Sequence, residues 1–333
     1  MNGNAIVVEG LTKRFGDVLA LDGIDFEVAE GTVFGLLGPN GAGKTTAVRV
    51  LATVLQPDGG RAEVLGHDVV REPGAVRRRI GLAGQNAAVD PNLTGRENLR
   101  MVGILGQLPR DQVMPRADEL LRRFDLTQAA DRPVRTYSGG MRRRLDVAAS
   151  LVQRPPVLFL DEPTTGLDIS SRGELWDMIR ELVSDGTTVL LTTQYLEEAD
   201  RLASRIAVVD NGRVIANDTP DRLKAQLGST VVEMDVRGDG RAERAVQLLS
   251  GSVDGRVERE GEKLRVTSDR GAHVLIEVLR ALDANQLEPD TLTVRQPSLD
   301  DVFLTLTGHH AEGDGDGSQP APDSRQPRKG ESR

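Results

Sequence analysis

The residues Gly38-Pro39-Asn40-Gly41-Ala42-Gly43-Lys44-Thr45 follow the pattern G-x-x-x-x-G-K-[ST], whose chemistry is the capture of nucleotide phosphates. Glycines without a Cβ let consecutive backbone N–H groups curl around phosphate oxygens. A helix beginning at the end of the loop adds its positive N-terminus. In such loops the lysine, here Lys44, reaches the β- and γ-phosphates, and the hydroxyl of the next residue, Thr45, ligates Mg2+. Further along, the apolar run Val157-Leu158-Phe159-Leu160 ends in Asp161-Glu162. A carboxylate closing a buried strand can hold the shell of Mg2+, and a second one beside it can orient water for attack on phosphorus. Between these groups, Ser138-Gly139-Gly140 opens a helical pattern. Its hydroxyl and amides make a second anion-binding helix end.

Type and order together resemble one family. Tyr137-Ser138-Gly139-Gly140-Met141 is similar to the Leu-Ser-Gly-Gly-Gln signature of ATP-binding-cassette (ABC) ATPases and stands, as in that family, between the phosphate loop and the Asp161 strand. The resemblance covers about residues 6–227. It implies ATP and Mg2+ as cofactors and assigns roles by position. Gly38 to Thr46 bind ATP, with Phe15 as the aromatic that stacks on adenine. Thr45, Gln85 and Asp161 surround Mg2+. Glu162 is the catalytic glutamate, acting with Lys44 and Gln194, and Gly166-Leu167-Asp168 is the D-loop. Tyr137 to Met141 address the ATP of a partner chain.

Several positions depart from the family. Tyr137 and Met141 replace the usual signature residues, and Ile169 follows the D-loop where proline is frequent. Gln194, in Thr192-Thr193-Gln194-Tyr195, stands where the family has histidine. A glutamine can donate through its amide but carries no proton near neutral pH, so hydrolysis is expected to be slow or to rest on Glu162. The stretch Thr136 to Leu151, Gln194 and the C-terminal Pro297 to Gly308 are similar to the daunorubicin/doxorubicin-type drug-resistance branch of actinobacterial exporters.

These residues need a scaffold. Ile6 to Glu9 and Ile24 to Val28 read as strands joined by a turn at Asp22-Gly23. Val33 to Leu37, Val157 to Asp161 and Thr187 to Thr193 read as buried strands, alternating with helices at Thr46–Leu55, Ser170–Val183 and Leu196–Leu202. The alternation predicts a largely parallel α/β sheet, and the resemblance implies a P-loop ABC cassette with a RecA-like core plus antiparallel β and helical subdomains. The cassette is expected over 5–228. Its helical subdomain spans about 94–152, with a cap at Thr94 and Glu97. Residues 229–308 show the order β-α-β-β-α-β, a small α+β ferredoxin-like domain. The polar tail 309–333 is expected to be disordered. The arginine triplets 77–79 and 142–144 read as solvated helix faces. Leu299, Val302, Phe303 and Leu306 share one apolar helix face that must find cover.

Composition narrows the function. Among 333 residues, Lys+Arg total 42 and Asp+Glu 51, a net charge of −9. Such a chain is a poor nucleic-acid binder. With Cys 0, disulfides, thiol catalysis and cysteine zinc sites are excluded. No transmembrane run and no signal peptide are visible, so the chain is expected at the cytoplasmic face of the membrane. There it would act as a homodimer with an integral-membrane permease that itself binds the drug. The expected function is ATP hydrolysis powering efflux of a hydrophobic antibiotic or similar drug. The alternatives are an ABC ATPase regulating a non-transport assembly and a nucleotide-gated module with little turnover.

Overall fold

The computed structural model describes residues 3–85, 88–228, 230–238, 240–271 and 273–307; the expected disordered tail lies outside them. The chain begins with β1 (Asn4–Phe15) and β2 (Val18–Ala29), followed by β3 (Val33–Leu37). The expected turn at Asp22-Gly23 is corrected. Phe15 pairs with Val18, so the chain reverses at Gly16-Asp17, with Gly16 at φ 56°. Leu11 pairs with Ile24 and Thr12 with Asp22, which leaves Gly23, at φ 70°, as a bulge inside the strand.

After α1 (Lys44–Leu51), β4 (Gly59–Val64) and β5 (His67–Asp68) complete an antiparallel sheet in the order β2-β1-β4-β5. Next come α2 (Pro73–Arg77) and β6 (Ile80–Ala83). The chain then leaves the sheets for α3 (Gly95–Leu105), α4 (Arg110–Arg123) and α5 (Gly139–Ser150). Thr94 and Glu97 form the capping box of α3. Leu99, Leu120, Leu121, Phe124 and Val134 fill the space between these helices.

The chain returns through β7 (Val157–Asp161), α6 (Ile169–Ser184), β8 (Thr188–Thr193), α7 (Leu196–Leu202), β9 (Arg205–Asp210), β10 (Arg213–Asp218) and α8 (Pro220–Ala225). The second sheet runs β10-β9-β3-β8-β7-β6 and is parallel except for β10. Every residue of β3, β7 and β8 is buried, which is why β3 and most of β7 read as apolar runs, while β8 carries buried threonines at its ends. The segments after these three strands carry Gly38, Glu162 and Gln194. All three therefore meet at the carboxyl edge of the sheet, where α/β folds place their ligands.

The remaining elements are β11 (Thr230–Asp235), α9 (Arg241–Ser252), β12 (Arg256–Glu260), β13 (Lys263–Ser268), α10 (His273–Ala284), β14 (Thr291–Arg295) and α11 (Leu299–Thr307). Their antiparallel sheet has the order β12-β13-β11-β14, the split βαβ arrangement expected from the sequence. Val232, Met234 and Val266 face α9 and α10, packing on Ala245, Leu249 and Val278. Helix α11 buries Leu299, Val302 and Phe303 in the same core as Leu202, Ala203 and Leu223 of the first 228 residues. The expected apolar face is thus covered within the chain, with Leu306, 38% exposed, at its margin. Asp301 on that helix is buried and bonded by Arg295 at 2.6 and 3.0 Å. Among the described residues no helix is long and apolar enough to cross a membrane.

Candidate functional site

The loop between β3 and α1 admits only small residues at its two ends. A Cβ on Gly38 would lie 2.2 Å from the Val209 carbonyl oxygen. Gly43 sits at φ 109°, and its Cβ would lie 2.4 Å from the Ala20 carbonyl oxygen. Lys44 is only 4% exposed. Its Nζ donates to the carbonyls of Gly38 at 2.6 Å and Pro39 at 3.0 Å, and stands 3.7 Å from Glu162 Oε1. Asn40, Gly41, Ala42, Thr45, Thr46, Gln85 and Glu162 line a cleft of about 140 Å³ with Gly43 and Lys44.

An acidic and hydroxyl-bearing cluster closes one side. Thr45 Oγ1 donates to Asp161 Oδ1 at 3.0 Å, and Thr192 Oγ1 donates to the same oxygen at 2.6 Å. Gln85 Nε2 donates to Thr45 Oγ1 at 3.2 Å. These are hard oxygen donors with one carboxylate, a set that fits Mg2+ completed by phosphates and water better than a dedicated protein cage. Accordingly, no group of three metal-binding His or acidic residues occurs among the described residues. Glu162 follows at φ 49°, in the left-handed region. Its N–H donates to both the carbonyl and the hydroxyl of Thr192, at 3.2 and 3.0 Å. Thr165 Oγ1 donates to its carboxylate at 3.4 Å.

The other expected site residues lie outside this cleft. Ser138 caps α5, its Oγ accepting from Met141 N at 3.2 Å, and Ser138 and Gly139 are exposed. Gly140 is buried, and a Cβ there would meet Ser171 Oγ at 2.5 Å. Tyr137 is buried and donates its hydroxyl to Ala129 O at 2.7 Å, so its ring packs inside the protein. Met141 is half-buried against the core. In the D-loop segment Gly166 is at φ 75°, Leu167 is buried, and Asp168 caps α6 by accepting from Ser171 N at 2.8 Å. The next residue, Ile169, is 87% exposed. Phe15 is half-exposed, with Lys13 Nζ 5.6 Å from its ring. Gln194 keeps a buried Oε1 with no hydrogen-bond partner.

A larger cleft of about 900 Å³ lies on the C-terminal sheet, among Glu233, Arg256, Glu258 and Arg265. Charged groups there pair with one another, as Arg265 does with Glu233 at 3.1 Å and Arg256 with Glu258 at 2.9 Å, and no glycine-rich phosphate loop borders it. The glycine-rich loop, Lys44 and Glu162 instead border the smaller cleft, which is open to solvent on one side.

The arginine triplet 142–144 is not a solvated face throughout. Arg142 is exposed, but Arg143 points inward and is buried. Thr192, which holds both Asp161 and Glu162, also escaped the sequence reading. The signals were present: Arg143 and Asp146 share the helical phase of buried Gly140 and Val147, and Thr192 stands two residues before Gln194 on a buried strand.

Comparison with known proteins gives consistent matches. The model of the ABC transporter family matches residues 21–165. A daunorubicin resistance ATP-binding protein of Streptomyces coeruleorubidus is 56% identical over 315 residues, covering 94% of this chain and 98% of that protein. A daunorubicin/doxorubicin resistance ATP-binding protein of Streptomyces peucetius is 51% identical over 92% of this chain and 94% of its own. A Nod factor export ATP-binding protein of Ralstonia nicotianae is 43% identical over 90% and 93%. Among solved structures, a subunit of a Clostridium perfringens ABC transporter complex matches with TM-score 0.63 and 27% identity, over 68% of this chain and 92% of that one. A dimeric ATP-binding cassette bound to ADP and Pi matches with TM-score 0.59 and 25% identity, over 64% and 98%.

Proposed function

Since this chain belongs to the ABC transporter family of ATP-binding proteins and is an ABC-type ATPase, we propose that it powers export of a hydrophobic antibiotic or similar drug through a separate membrane permease. The observation that carries this reading is the convergence of Lys44, Thr45, Gln85, Asp161 and Glu162 at one cleft. It occurs in a chain alike over nearly its whole length to resistance ATP-binding proteins.

The amides of the Gly38–Thr45 loop and the start of α1 receive the phosphates, and Lys44 exchanges its carbonyl partners for β- and γ-oxygens. Thr45, Gln85 and Asp161 would hold Mg2+, which supplies charge neutralisation on the transferring phosphoryl group when bound. Glu162 orients the attacking water, Phe15 stacks on adenine, and the Gln194 amide donates to the γ-phosphate. Ser138, Gly139 and Gly140 of a second copy close the open wall, so two identical chains enclose two nucleotides about a two-fold axis. The dimeric cassette with ADP and Pi among the solved relatives supports that arrangement. Loss of the γ-phosphate bridge then lets the pair open.

The chain has 3% aromatic residues, whereas planar drugs favour apolar and aromatic pockets; the drug is therefore assigned to the permease. The permease docks near Gln85 and residues 94–136, where Ile104 and Leu105 are exposed, and holds the subunit at the cytoplasmic face of the membrane. Cells making the chain with a candidate permease should accumulate less daunorubicin, and Lys44→Ala should abolish the difference. Equal accumulation with the chain, with Lys44→Ala and with neither rules out export of daunorubicin. ATP turnover without permease-dependent recruitment to membranes favours an assembly-regulating ATPase.

A further inference from the structure

One buried guanidinium joins three segments of the active site. Arg143 and Asp146 lie one turn apart on α5, 7% and 2% exposed, with an ion pair of 3.1 Å. Arg143 Nε donates to Pro163 O at 2.8 Å and Nη2 to Asp161 O at 3.2 Å. Its Nη1 donates to the Gly84 carbonyl. Asp146 Oδ1 accepts from Ala88 N at 2.7 Å. The carbonyls of residues 161 and 163 flank Glu162. The carbonyl of 84 and the amide of 88 bracket the segment carrying Gln85.

This placement has a mechanical meaning. Glu162 stands at φ 49°, and a non-glycine residue persists there only where its surroundings over-determine it. Thr192 fixes its N–H; Arg143 fixes the peptide carbonyls on either side. A buried ion pair is a poor device for stability alone, because desolvation offsets its Coulombic gain. Burial indeed lowers the affinity of Arg143 for its proton and raises that of Asp146.

We propose that Arg143, paired with Asp146, is a positioning residue for hydrolysis. It sets the backbone that aims Glu162, and it ties both ends of the Gln85 segment to the helix that Ser138 begins. The inference rests on the roles assigned above to Glu162 and Gln85.

The test uses the full chain in Arg143→Lys, Asp146→Asn, Glu162→Gln and Arg143→Lys/Glu162→Gln forms. Lysine keeps the charge but cannot reproduce the planar fork that serves three carbonyls. Arg143→Lys should lose about 100-fold in kcat, the scale of a small misplacement of a catalytic group. Its Kd for a fluorescent ATP analogue should change less than about threefold. Asp146→Asn still accepts from Ala88 N and should lose about tenfold in kcat at unchanged Kd. In the Glu162→Gln background, Arg143→Lys should lower residual turnover no further, because groups acting as a unit are not additive. Wild-type kcat in Arg143→Lys, equal losses of kcat and affinity, or a multiplicative loss in the double form overturns the inference. If Arg143→Lys does not fold, Asp146→Asn decides by the same split. Wild-type turnover in Glu162→Gln instead overturns the assignment of Glu162 itself.

Discussion

Thr45 and Asp161, 116 positions apart in the chain, share a hydrogen bond of 3.0 Å between Oγ1 and Oδ1. The end of the phosphate loop and the end of β7 are thus joined side chain to side chain, and Thr192 holds the same carboxylate oxygen from the neighbouring strand. Asp161→Asn keeps the shape of the cluster and removes its charge. ATP binding in the absence of Mg2+ should change little, while the Mg2+ concentration for half-maximal turnover should rise about 10- to 100-fold. Titration of ATPase rate with Mg2+ measures this, and an unshifted curve removes Asp161 from the cation's surroundings.

Glu162→Gln separates binding from chemistry. The amide preserves the left-handed backbone and the Lys44 neighbourhood but removes the carboxylate to which we assign the orienting of water. The variant should bind ATP and accumulate as a closed dimer in size-exclusion chromatography with ATP and Mg2+. Absence of an ATP-dependent dimer counts against the shared-nucleotide arrangement.

Glu198, on α7, gives the fold a pH dependence. It is fully buried, and burial pushes its carboxyl above the ordinary range, opposed by the Trp176 indole at 3.1 Å and the charge of Arg143. The unfolded chain releases this proton near the usual value of about 4.3, while the folded chain keeps it. The stabilisation is therefore complete below that value and is lost as pH rises toward the folded pKa. Glu198→Gln cannot ionise. Its Tm should exceed that of the wild type at pH 8 by about 2–4 °C, with the gap closing toward pH 5. Thermal melts at the two pH values decide, and a gap independent of pH rejects the idea.

Phe303 tests the covering of the last helix. It is fully buried with Leu299 and Val302 in the core that α7 and α8 share. Phe303→Ala should cost about 3–5 kcal/mol and lower the Tm by roughly 10 °C. A melt within a degree or two of wild type means that the helix rests on the cassette without being part of its core.

Much of the scaffold was legible because its local rules agree. The capping box at Thr94 and Glu97, the apolar runs of β3 and β7, and the β-α-β-β-α-β order each announce themselves in the residues. Strands β4, β5 and β10 were not legible. Strand β4 takes its partner from β1, far back in the chain, while β5 and β10 are short hairpin arms on β4 and β9 whose side chains alternate weakly. At the site, residue types and spacing located the phosphate loop, but not the network behind it. Arg143 sits among two other arginines, and a run of like residues conceals helical phase. Only packing reveals that the middle one faces inward. Gly23 misled for a related reason, since positive φ serves a bulge as readily as a turn.

The contact between Gly140 and Ser171 leaves no room for even a methyl group, and Ser171 is the residue whose N–H and hydroxyl both bond Asp168. The two helix starts, α5 and α6, are therefore geared like meshed teeth. A displacement of the glycine pair is expected to carry the cap of α6 with it, and Glu162 lies six residues before Asp168 in that cap. If two chains share their nucleotides as proposed, occupancy at one of them would be passed through touching atoms toward the Glu162 that serves the other.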